Sequence, residues 1–284
     1  MKKVVFIADS AMDLPKELIE KHEIQVLPFH ISFGNDTYRD GIDMTTEMLY
    51  QKVEELGILP KTAAIAPAEW KQVFDPIIEA GNDVFCLTIG SKISSSFQNA
   101  YVASLDYEEG RVEVVDSGVL SGAIAILMLK AVKFRDQGMS AKEIKNAVEK
   151  LVPKLHTQFV IPTLDYLYKG GRCSSLSKLI GSVLKIKPQI KMLEGKLGLY
   201  KKSAGKMSRA IDGMLDDFFE IYENGKLDPE FVFITHSIAP KYAIYIREIV
   251  EERVKVEHLI ESYAGSVIST HCGAGTIGIL YLEK

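Results

Sequence analysis

Residues 83–90 read DVFCLTIG, an almost uninterrupted apolar run, and SKISSSFQNA follows directly at residues 91–100. An apolar run of this length that ends in glycine and serine predicts a buried strand leading into a helix. Similar runs stand at residues 4–8 (VVFIA), 24–33 (IQVLPFHISF) and 112–117 (VEVVDS), with amphipathic stretches between them. Strands that alternate with helices form βα units, so the first half of the chain is predicted to fold around a mostly parallel sheet.

Helix starts in this half are marked by residues that favour a first turn. Asp13 and Pro15 open one predicted helix, and Pro67 in APAEW opens another, because proline needs no amide hydrogen at the first helical position. Ser140 and Glu143 in MSAKEI form a predicted capping box, in which each side chain accepts a hydrogen bond from the other residue's free amide. These signals place helices between the predicted strands.

The pattern of apolar and polar residues changes near residue 157, at the start of the run TQFVIP, from alternating strand-like and helix-like runs to short strand-like runs around one long polar helix. We therefore predict two domains, an N-terminal α/β domain of residues 1–157 and a C-terminal α/β domain of residues 158–284. Short runs with hairpin-length links in the second half predict a mixed or antiparallel sheet that carries helices. The predicted strands are KIKPQIKML (185–193), KLGLYKK (196–202), FVFITHS (231–237), SVISTH (266–271) and TIGILYLE (276–283), and the predicted helices cover residues 208–225 and 239–253.

Composition argues against several classes of protein. With 284 residues, 25% of them charged, and a formal net charge of −4, the chain has no general basic field for nucleic acid. Cys86, Cys173 and Cys272 are odd in number and far apart, which predicts neither disulfides nor a zinc site and fits a reducing compartment. The sequence shows no signal-peptide core and no continuous apolar stretch of about 18 residues, so we expect a cytoplasmic protein.

Small hydroxyl residues stand at the ends of three apolar runs, in FIADSAMD, LTIGSKISSSFQNA and EVVDSGVLSG. Ligands of open α/β sheets bind at such ends, although Ser10, Ser94 and Ser117 would each also serve as a simple helix cap. The three consecutive serines at 94–96 exceed what a cap needs, and the surplus hydroxyls are predicted to meet a ligand head group. Thr62, in the predicted loop LPKTAAIAP, offers one more hydroxyl.

Residues 269–278 read STHCGAGTIG and place a histidine beside a cysteine at the head of a glycine-rich turn. No other histidine stands at metal-ligand spacing from His271, which argues against a metal site. A dyad of His271 and Cys272 is also unfavourable, because both are predicted to lie at a strand end, where adjacent side chains point to opposite faces. Gly273, Ala274 and Gly275 form either an anion-receptive turn of backbone amides or a plain tight turn.

A mixture of basic and apolar residues fills positions 164–196. Such a mixture suits a membrane surface or an acidic partner, and it equally describes a helix and a strand with solvated lysines. The basic break KGGR at residues 169–172 is followed by leucine, isoleucine and valine interleaved with Lys178, Lys185, Lys187 and Lys191.

Taken together, these stretches resemble the DegV family, the bacterial fatty-acid-binding proteins with the two-domain EDD fold. The resemblance runs through the whole chain, in several motifs at family spacing, and no single motif carries it. The motifs are ADSAMDLP (8–15), YRDGIDM (38–44), LPKT (59–62), SKISSSFQNA (91–100), VVDSGVLSG (114–122), LYKGGR (167–172), GSVLKIKPQI (181–190) and GSVISTHCGAGTIG (265–278).

The resemblance implies a long-chain fatty acid buried between or beside the domains, with its carboxylate held by Thr62, Ser94 and His271 and with no cofactor. Ser95 and Ser96 are then expected near the ligand, together with the turn at residues 273–275. The resemblance further implies a carrier without catalytic residues of its own, the acyl-carrying subunit of bacterial fatty acid kinase. A separate ATP-using subunit would phosphorylate the bound carboxylate, and transient contact with a membrane surface would exchange the acyl chain.

The sequence departs from the family's pattern at two places, in the serines expected near the ligand and in a basic stretch expected to dock the kinase. The family commonly has Ser-Gly-Thr where this chain has serine at 94–96. Arg172 matches the family's arginine for docking the kinase, but in the second basic element, YKKSAGKMSRA, the arginine's place falls on Ala204 or Gly205. The residues that would substitute, without the planar fork of arginine, are Lys201, Lys202 and Lys206.

Two other functions stay open from the residues alone. A stand-alone hydrolase or phosphatase would use Ser94 as nucleophile and His271 as base, with Asp9 or Asp116 orienting the histidine. A purely regulatory lipid-binding protein would hold the same fatty acid without any kinase-dependent phosphorylation.

Overall fold

The computed structural model describes residues 3–173 and 186–284, which form three sheets with helices packed on them. The strands are β1 (Val4–Asp9), β2 (Gln25–Leu27), β3 (His30–Phe33), β4 (Asp36–Arg39), β5 (Lys61–Ala63), β6 (Asp83–Thr88), β7 (Val112–Asp116), β8 (Leu155–Val160), β9 (Ile186–Leu193), β10 (Lys196–Ala204), β11 (Leu227–Ser237), β12 (His258–Tyr263) and β13 (Thr276–Glu283). The helices are α1 (Lys16–Lys21), α2 (Thr46–Leu56), α3 (Pro67–Glu79), α4 (Ser96–Ser104), α5 (Gly122–Asp136), α6 (Ala141–Leu151), α7 (Asp165–Lys169), α8 (Met207–Glu223), α9 (Pro240–Arg253) and α10 (Ser266–Cys272).

The first sheet is entirely parallel, in the order β2-β1-β6-β7, which confirms the prediction for the first half. Its central strands are buried on both faces, by α5 and α6 on one side and by α3 and α4 on the other. Burial on two faces explains why DVFCLTIG is continuously apolar rather than alternating. All three marked helix starts are present: α1 begins directly after Pro15, Pro67 is the first residue of α3, and the amide of Ser140 donates to Glu143 Oε2 at 2.8 Å.

A three-stranded antiparallel sheet, in the order β4-β3-β5, was not anticipated from the sequence. The apolar run at residues 24–33 is divided at Pro28, so that β2 joins the parallel sheet and β3 joins this smaller one. Proline has no amide hydrogen for a sheet ladder, which favours such a change of partner. Thr62 pairs with Ile31 in this sheet, so the predicted loop around Thr62 is a strand.

The second half contributes a mixed six-stranded sheet, in the order β10-β9-β8-β13-β11-β12, as predicted. Successive side chains of β13 point to opposite faces of the sheet and pack in two different hydrophobic cores. Ile277 and Ile279 pack with α8 and α9, whereas Leu280 and Leu282 pack with α5 from the first half. The sheet therefore lies between its own helices and the N-terminal part of the chain. The predicted domain boundary near residue 157 falls inside β8, and the division into two domains stays a prediction.

The prediction of a strand at SVISTH is wrong, because residues 266–272 form α10. Valine, isoleucine and threonine in this run favour strands locally, but tertiary contacts decide the conformation. The amides of Gly265 and Ser266, at the start of α10, donate to Asp13 and Asp40 from the other end of the chain. The consequence for the site is that His271 projects from the last turn of a helix.

Residues 174–185 lie outside the described residues. This range includes Lys178, Lys185 and the first half of the motif at 181–190. Lys187 and Lys191 are in β9. Within the described ranges, none of the helices has the length and apolarity that a membrane span requires.

Candidate ligand-binding site

A cavity of about 370 Å³ lies where the six-stranded sheet faces the N-terminal part of the chain. Its floor includes Phe159 of β8 and Leu280 of β13. The opposite walls come from the stretches that follow β5 and β6, from the start of α5 and from α10. The exposed surface of the lining is mostly apolar, and hydroxyl, amide and imidazole side chains interrupt it, as is usual for a small-molecule site.

Three polar side chains predicted from the sequence come together in this cavity. Thr62, Ser94 and His271 all line it, and Thr62 Oγ1 lies 2.9 Å from His271 Nε2, a hydrogen bond across 209 positions of the chain. Ser94 Oγ accepts a hydrogen bond from the amide of Ser96 at 3.2 Å, so its own proton stays available for a ligand. The hydrogen-bonded pair of Thr62 and His271 defines one polar end of the cavity, and the Ser94 hydroxyl also belongs to the lining.

The imidazole at this end is uncharged near neutral pH. Burial lowers the pKa of His271 to about 4, and the positive charge of Arg172 nearby acts in the same direction. A neutral imidazole has one N–H donor and one acceptor nitrogen, and Nε2 is the nitrogen engaged with Thr62. Among the described residues, Nδ1 of His271 is buried without a hydrogen-bond partner.

Two glycines shape the wall around the imidazole. A Cβ atom at Gly170 would overlap Nδ1 of His271 and would lie 3.0 Å from the carbonyl oxygen of Tyr166. Gly273 has φ +81°, and a Cβ atom there would lie 2.8 Å from the Tyr166 ring. Gly170 therefore packs against the imidazole of His271, and Tyr166 of α7 packs against the turn after α10.

The remaining predicted ligand-site residues differ in their placement. Ser95 lines the cavity, but Ser96 Oγ donates to Asp9 Oδ2 at 2.7 Å and is fully buried. The amide of Gly273 donates to the carbonyl of Ser269 and the amide of Gly275 to that of Ser237. Both amides are thus engaged within the protein, which favours the tight turn over an open anion-binding turn. Ala274 is exposed on a neighbouring groove.

The arrangement needed by a hydrolase is not assembled among the described residues. His271 is hydrogen-bonded to Thr62 rather than to Ser94. Asp9 accepts hydrogen bonds from Ser96 and from the amide of Ile89, and Asp116 accepts from the amides of Ser91 and Gly118, so neither of these carboxylates orients the imidazole. Burial raises the pKa of the Cys272 thiol to about 12, which leaves it protonated.

The predicted docking residues are exposed at three places. Arg172 lines the cavity, and its Nη1 donates to the carbonyl of Gly170 at 2.6 Å. Lys201 pairs with Asp217 at 2.6 Å, and Lys202 is exposed beside it on β10. Lys206 borders a separate groove of about 650 Å³ that also includes Lys187 and Lys241.

Sequence reasoning missed the polar residues that hold α10 in place. Tyr50 donates or accepts a 2.6 Å hydrogen bond with Ser237 Oγ, which in turn lies 2.8 Å from Ser269 Oγ on α10. Asp13 and Asp40 contact the start of the same helix. Both aspartates stand inside the quoted motifs ADSAMDLP and YRDGIDM, but nothing local to either motif points to a helix more than 220 residues away.

An α/β architecture with a mostly apolar cavity and a neutral histidine hydrogen-bonded to a threonine in its wall is typical of a site for an amphipathic small molecule. The chain belongs to the DegV family: the family model described as "Uncharacterised protein, DegV family" matches residues 3–284. It is 30% identical to a DegV domain-containing protein of Caldanaerobacter subterraneus, over the full length of both chains.

Solved structures of DegV proteins share this fold. A DegV family protein from Thermus thermophilus, described for its fatty acid binding, superposes with a TM-score of 0.90 at 26% identity, covering 99% of this chain and 100% of its own. A stearic-acid-binding protein from Eubacterium ventriosum superposes with a TM-score of 0.88 at 28% identity, covering 100% of this chain and 99% of its own. These likenesses confirm the predicted family and the predicted two-part α/β fold.

Proposed function

We propose that this protein binds a long-chain fatty acid in the cavity, with the carboxylate at the end formed by Thr62, Ser94 and His271. The observation that carries the proposal is the hydrogen bond between Thr62 and His271 in the wall of a cavity whose surface is mostly apolar. Structural relatives that are described as binding fatty acids support it.

The two ends of such a ligand contribute differently to binding. Burial of about fifteen methylene groups at roughly 0.8 kcal/mol each is worth about 12 kcal/mol as an upper limit. Each hydrogen bond to the carboxylate adds roughly 1.5 to 3 kcal/mol. The apolar tail therefore supplies most of the affinity, and the hydroxyl groups fix the position of the carboxylate.

The histidine acts on the carboxylate through Thr62 in this proposal. With the hydrogen on Nε2, His271 donates to Thr62 Oγ1, and the hydroxyl proton of Thr62 then points to the ligand together with that of Ser94. Neutral donors of this kind leave an oxygen of the carboxylate uncovered, unlike a bidentate arginine clamp. An uncovered carboxylate oxygen keeps its ability to act as a nucleophile.

We further propose that the protein presents this carboxylate to a separate kinase subunit. An oxygen of the carboxylate would attack the γ-phosphorus of ATP on that subunit, form a new O–P bond and release ADP, which yields an acyl phosphate. The exposed Arg172 at the cavity and the lysines Lys201, Lys202 and Lys206 are the proposed docking residues. Free, buried cysteines fit the proposed cytoplasmic location, and a transient membrane contact would supply the acyl chain.

Fatty acid binding is tested by native mass spectrometry of the purified protein after organic extraction, followed by titration with stearate. We expect a fatty acid to co-purify and His271→Ala to weaken stearate binding at least ten-fold. His258→Ala is the matched control, because His258 is an exposed histidine outside the cavity. Undiminished stearate binding by His271→Ala would contradict the assigned head-group site, and turnover of an ester by the purified chain, lost in Ser94→Ala, would favour the hydrolase instead.

A further inference from the structure

The helix that carries His271 begins on two buried carboxylates. The amide of Gly265 donates to Asp13 Oδ1 and the amide of Ser266 donates to Asp40 Oδ1, each at 2.8 Å. Helix N-terminal amides have no partner within the helix, and a side-chain oxygen that accepts from them stabilises the helix start. Burial raises the pKa of both Asp13 and Asp40, so their role here is that of hydrogen-bond acceptors. The first turn of α10 is therefore tied to residues that lie more than 220 positions earlier in the chain.

The two carboxylates are themselves held in place from the N-terminal side. Asp13 Oδ2 accepts a 2.5 Å hydrogen bond from Ser121 Oγ, and Asp40 Oδ2 accepts a 2.7 Å hydrogen bond from Ser10 Oγ. Asp13 and Ser121 both have positive φ, of 52° and 58°. Non-glycine residues in this region are energetically unfavourable and are kept where surrounding contacts require them.

The fit between these carboxylates and α10 leaves no free space. A Cβ atom at Gly265 would lie 3.2 Å from Asp13 Oδ1 and 3.3 Å from both carboxylate oxygens of Asp40. His271 stands five positions after Ser266, which is about 7.5 Å along a helix axis at 1.5 Å per residue. Any displacement of the helix start is thus transmitted to the imidazole over one and a half turns.

We propose that Asp13 and Asp40 are positioning residues that set the hydrogen bond between His271 and Thr62. The N-terminal half of the chain supplies Thr62 on β5 and also supplies both carboxylates, whereas α10 comes from the C-terminal end. The same half therefore fixes both partners of the head-group hydrogen bond. This inference rests on the proposed fatty acid site, which it extends to two residues that do not touch the ligand.

The test measures stearate affinity and thermal unfolding for Asp13→Ala and Asp40→Ala, each in the natural background and in a His271→Ala background. We expect about ten-fold weaker stearate binding in the natural background and no further loss once His271 is absent. The unfolding temperature should fall in both backgrounds, because the lost helix contacts are structural in either case. Asp13→Asn and Asp40→Asn keep an acceptor oxygen and should restore most of the stearate affinity.

A matched control removes a different contact between the two halves. Asp228→Ala breaks the contact of Asp228 in β11 with Lys130 on α5, and it should lower stability without changing stearate affinity. Gly265→Ala is a milder second variant in case the aspartate variants do not fold, since its Cβ displaces the helix start by only a few tenths of an ångström. It should also weaken binding in the natural background alone.

The outcomes separate the positioning role from the proposed site. Equal losses of affinity in the presence and absence of His271 would overturn the positioning role and show a general loss of structure. Unchanged affinity in the folded aspartate variants and in Gly265→Ala would overturn it as well. If His271→Ala alone left stearate binding unchanged, the head-group site itself would be wrong.

Discussion

Gly170 offers a way to move the imidazole of His271 without altering any residue that lines the cavity. Its φ lies in the ordinary range, at −69°, so alanine at this position is not strained by the backbone. The new methyl group would instead overlap Nδ1 of His271 and approach the carbonyl of Tyr166 to 3.0 Å. Because a carbonyl in the backbone moves less easily than a side chain, the imidazole must shift away from its position against Thr62.

The expected effects of Gly170→Ala on stability and on binding differ in size. Overpacking of a filled site costs about 1 to 3 kcal/mol of the free energy of unfolding. Loss of the ordered Thr62 hydroxyl removes one hydrogen bond to a charged group, worth roughly 1.5 to 3 kcal/mol. At about 1.4 kcal/mol per ten-fold change, the dissociation constant for stearate should rise by roughly ten-fold to a hundred-fold.

Gly171→Ala is the matched control for this experiment. Gly171 has φ +68° and no described atom within 4 Å of its would-be Cβ, so alanine there introduces backbone strain and no overlap. It should destabilise the protein by about 1 kcal/mol and leave stearate binding unchanged. The assay is isothermal titration with stearate, combined with thermal unfolding of the same samples.

A double-variant cycle decides whether Gly170 acts through the histidine. In a His271→Ala background the overlapping ring is gone, and Gly170→Ala should have no further effect on affinity. The reasoning would be refuted if Gly170→Ala caused a large further loss of stearate affinity in that background. It would also be refuted if Gly170→Ala and Gly171→Ala lowered the affinity equally, because Gly171 does not contact His271.

Three further predictions follow from contacts around the site and between the two halves. Thr62→Val keeps the shape of the side chain but removes its hydrogen bond to His271 Nε2, and stearate binding should weaken about ten-fold; unchanged affinity would show that this hydroxyl does not meet the ligand. Burial raises the pKa of Asp9 from its ordinary 3.8 to about 6, so ionisation costs stability, which is lost as the pH rises from about 4 through 6. The free energy of unfolding of Asp9→Asn, measured with urea, should therefore rise relative to that of the natural protein by about 3 kcal/mol from pH 4 to pH 7.5. If the difference between the two proteins were the same at both pH values, the raised pKa of Asp9 would be contradicted. Lys130→Met leaves Asp228 and Glu230 facing each other without their shared cation and should cost about 2 kcal/mol in the same measurement, with binding unaffected.

The parallel sheet and the helix starts could be predicted because their signals are local. DVFCLTIG is apolar throughout since both faces of β6 are buried, and a proline or a serine–glutamate pair marks a helix start within four residues. The three-stranded sheet gave no such signal, because its strands have only three or four residues. Short strands of this length contain too few residues to show an alternating pattern.

The conformation of α10 and the assembly of the site could not be predicted from local patterns. The run SVISTH has the residues of a strand, and it is helical because Asp13 and Asp40 bind its first amides from the other end of the chain. The meeting of Thr62 with His271 across 209 residues was anticipated through the resemblance to the DegV family rather than through spacing. The proposed role of the two aspartates could be inferred only from the packed structure, since neither aspartate lies near His271 in the sequence.

The proposed head-group site draws on β5, on the turn before α4 and on α10, which lie far apart in the chain. A ligand that binds only the complete arrangement stabilises the native state by about 2.7 kcal/mol when present at one hundred times its dissociation constant. Occupancy would then govern how often the protein opens and becomes accessible to proteases. If the proposed site binds fatty acid, we expect the loaded protein to persist longer in a cell than the empty one, so that a larger supply of ligand raises the amount of the protein that binds it.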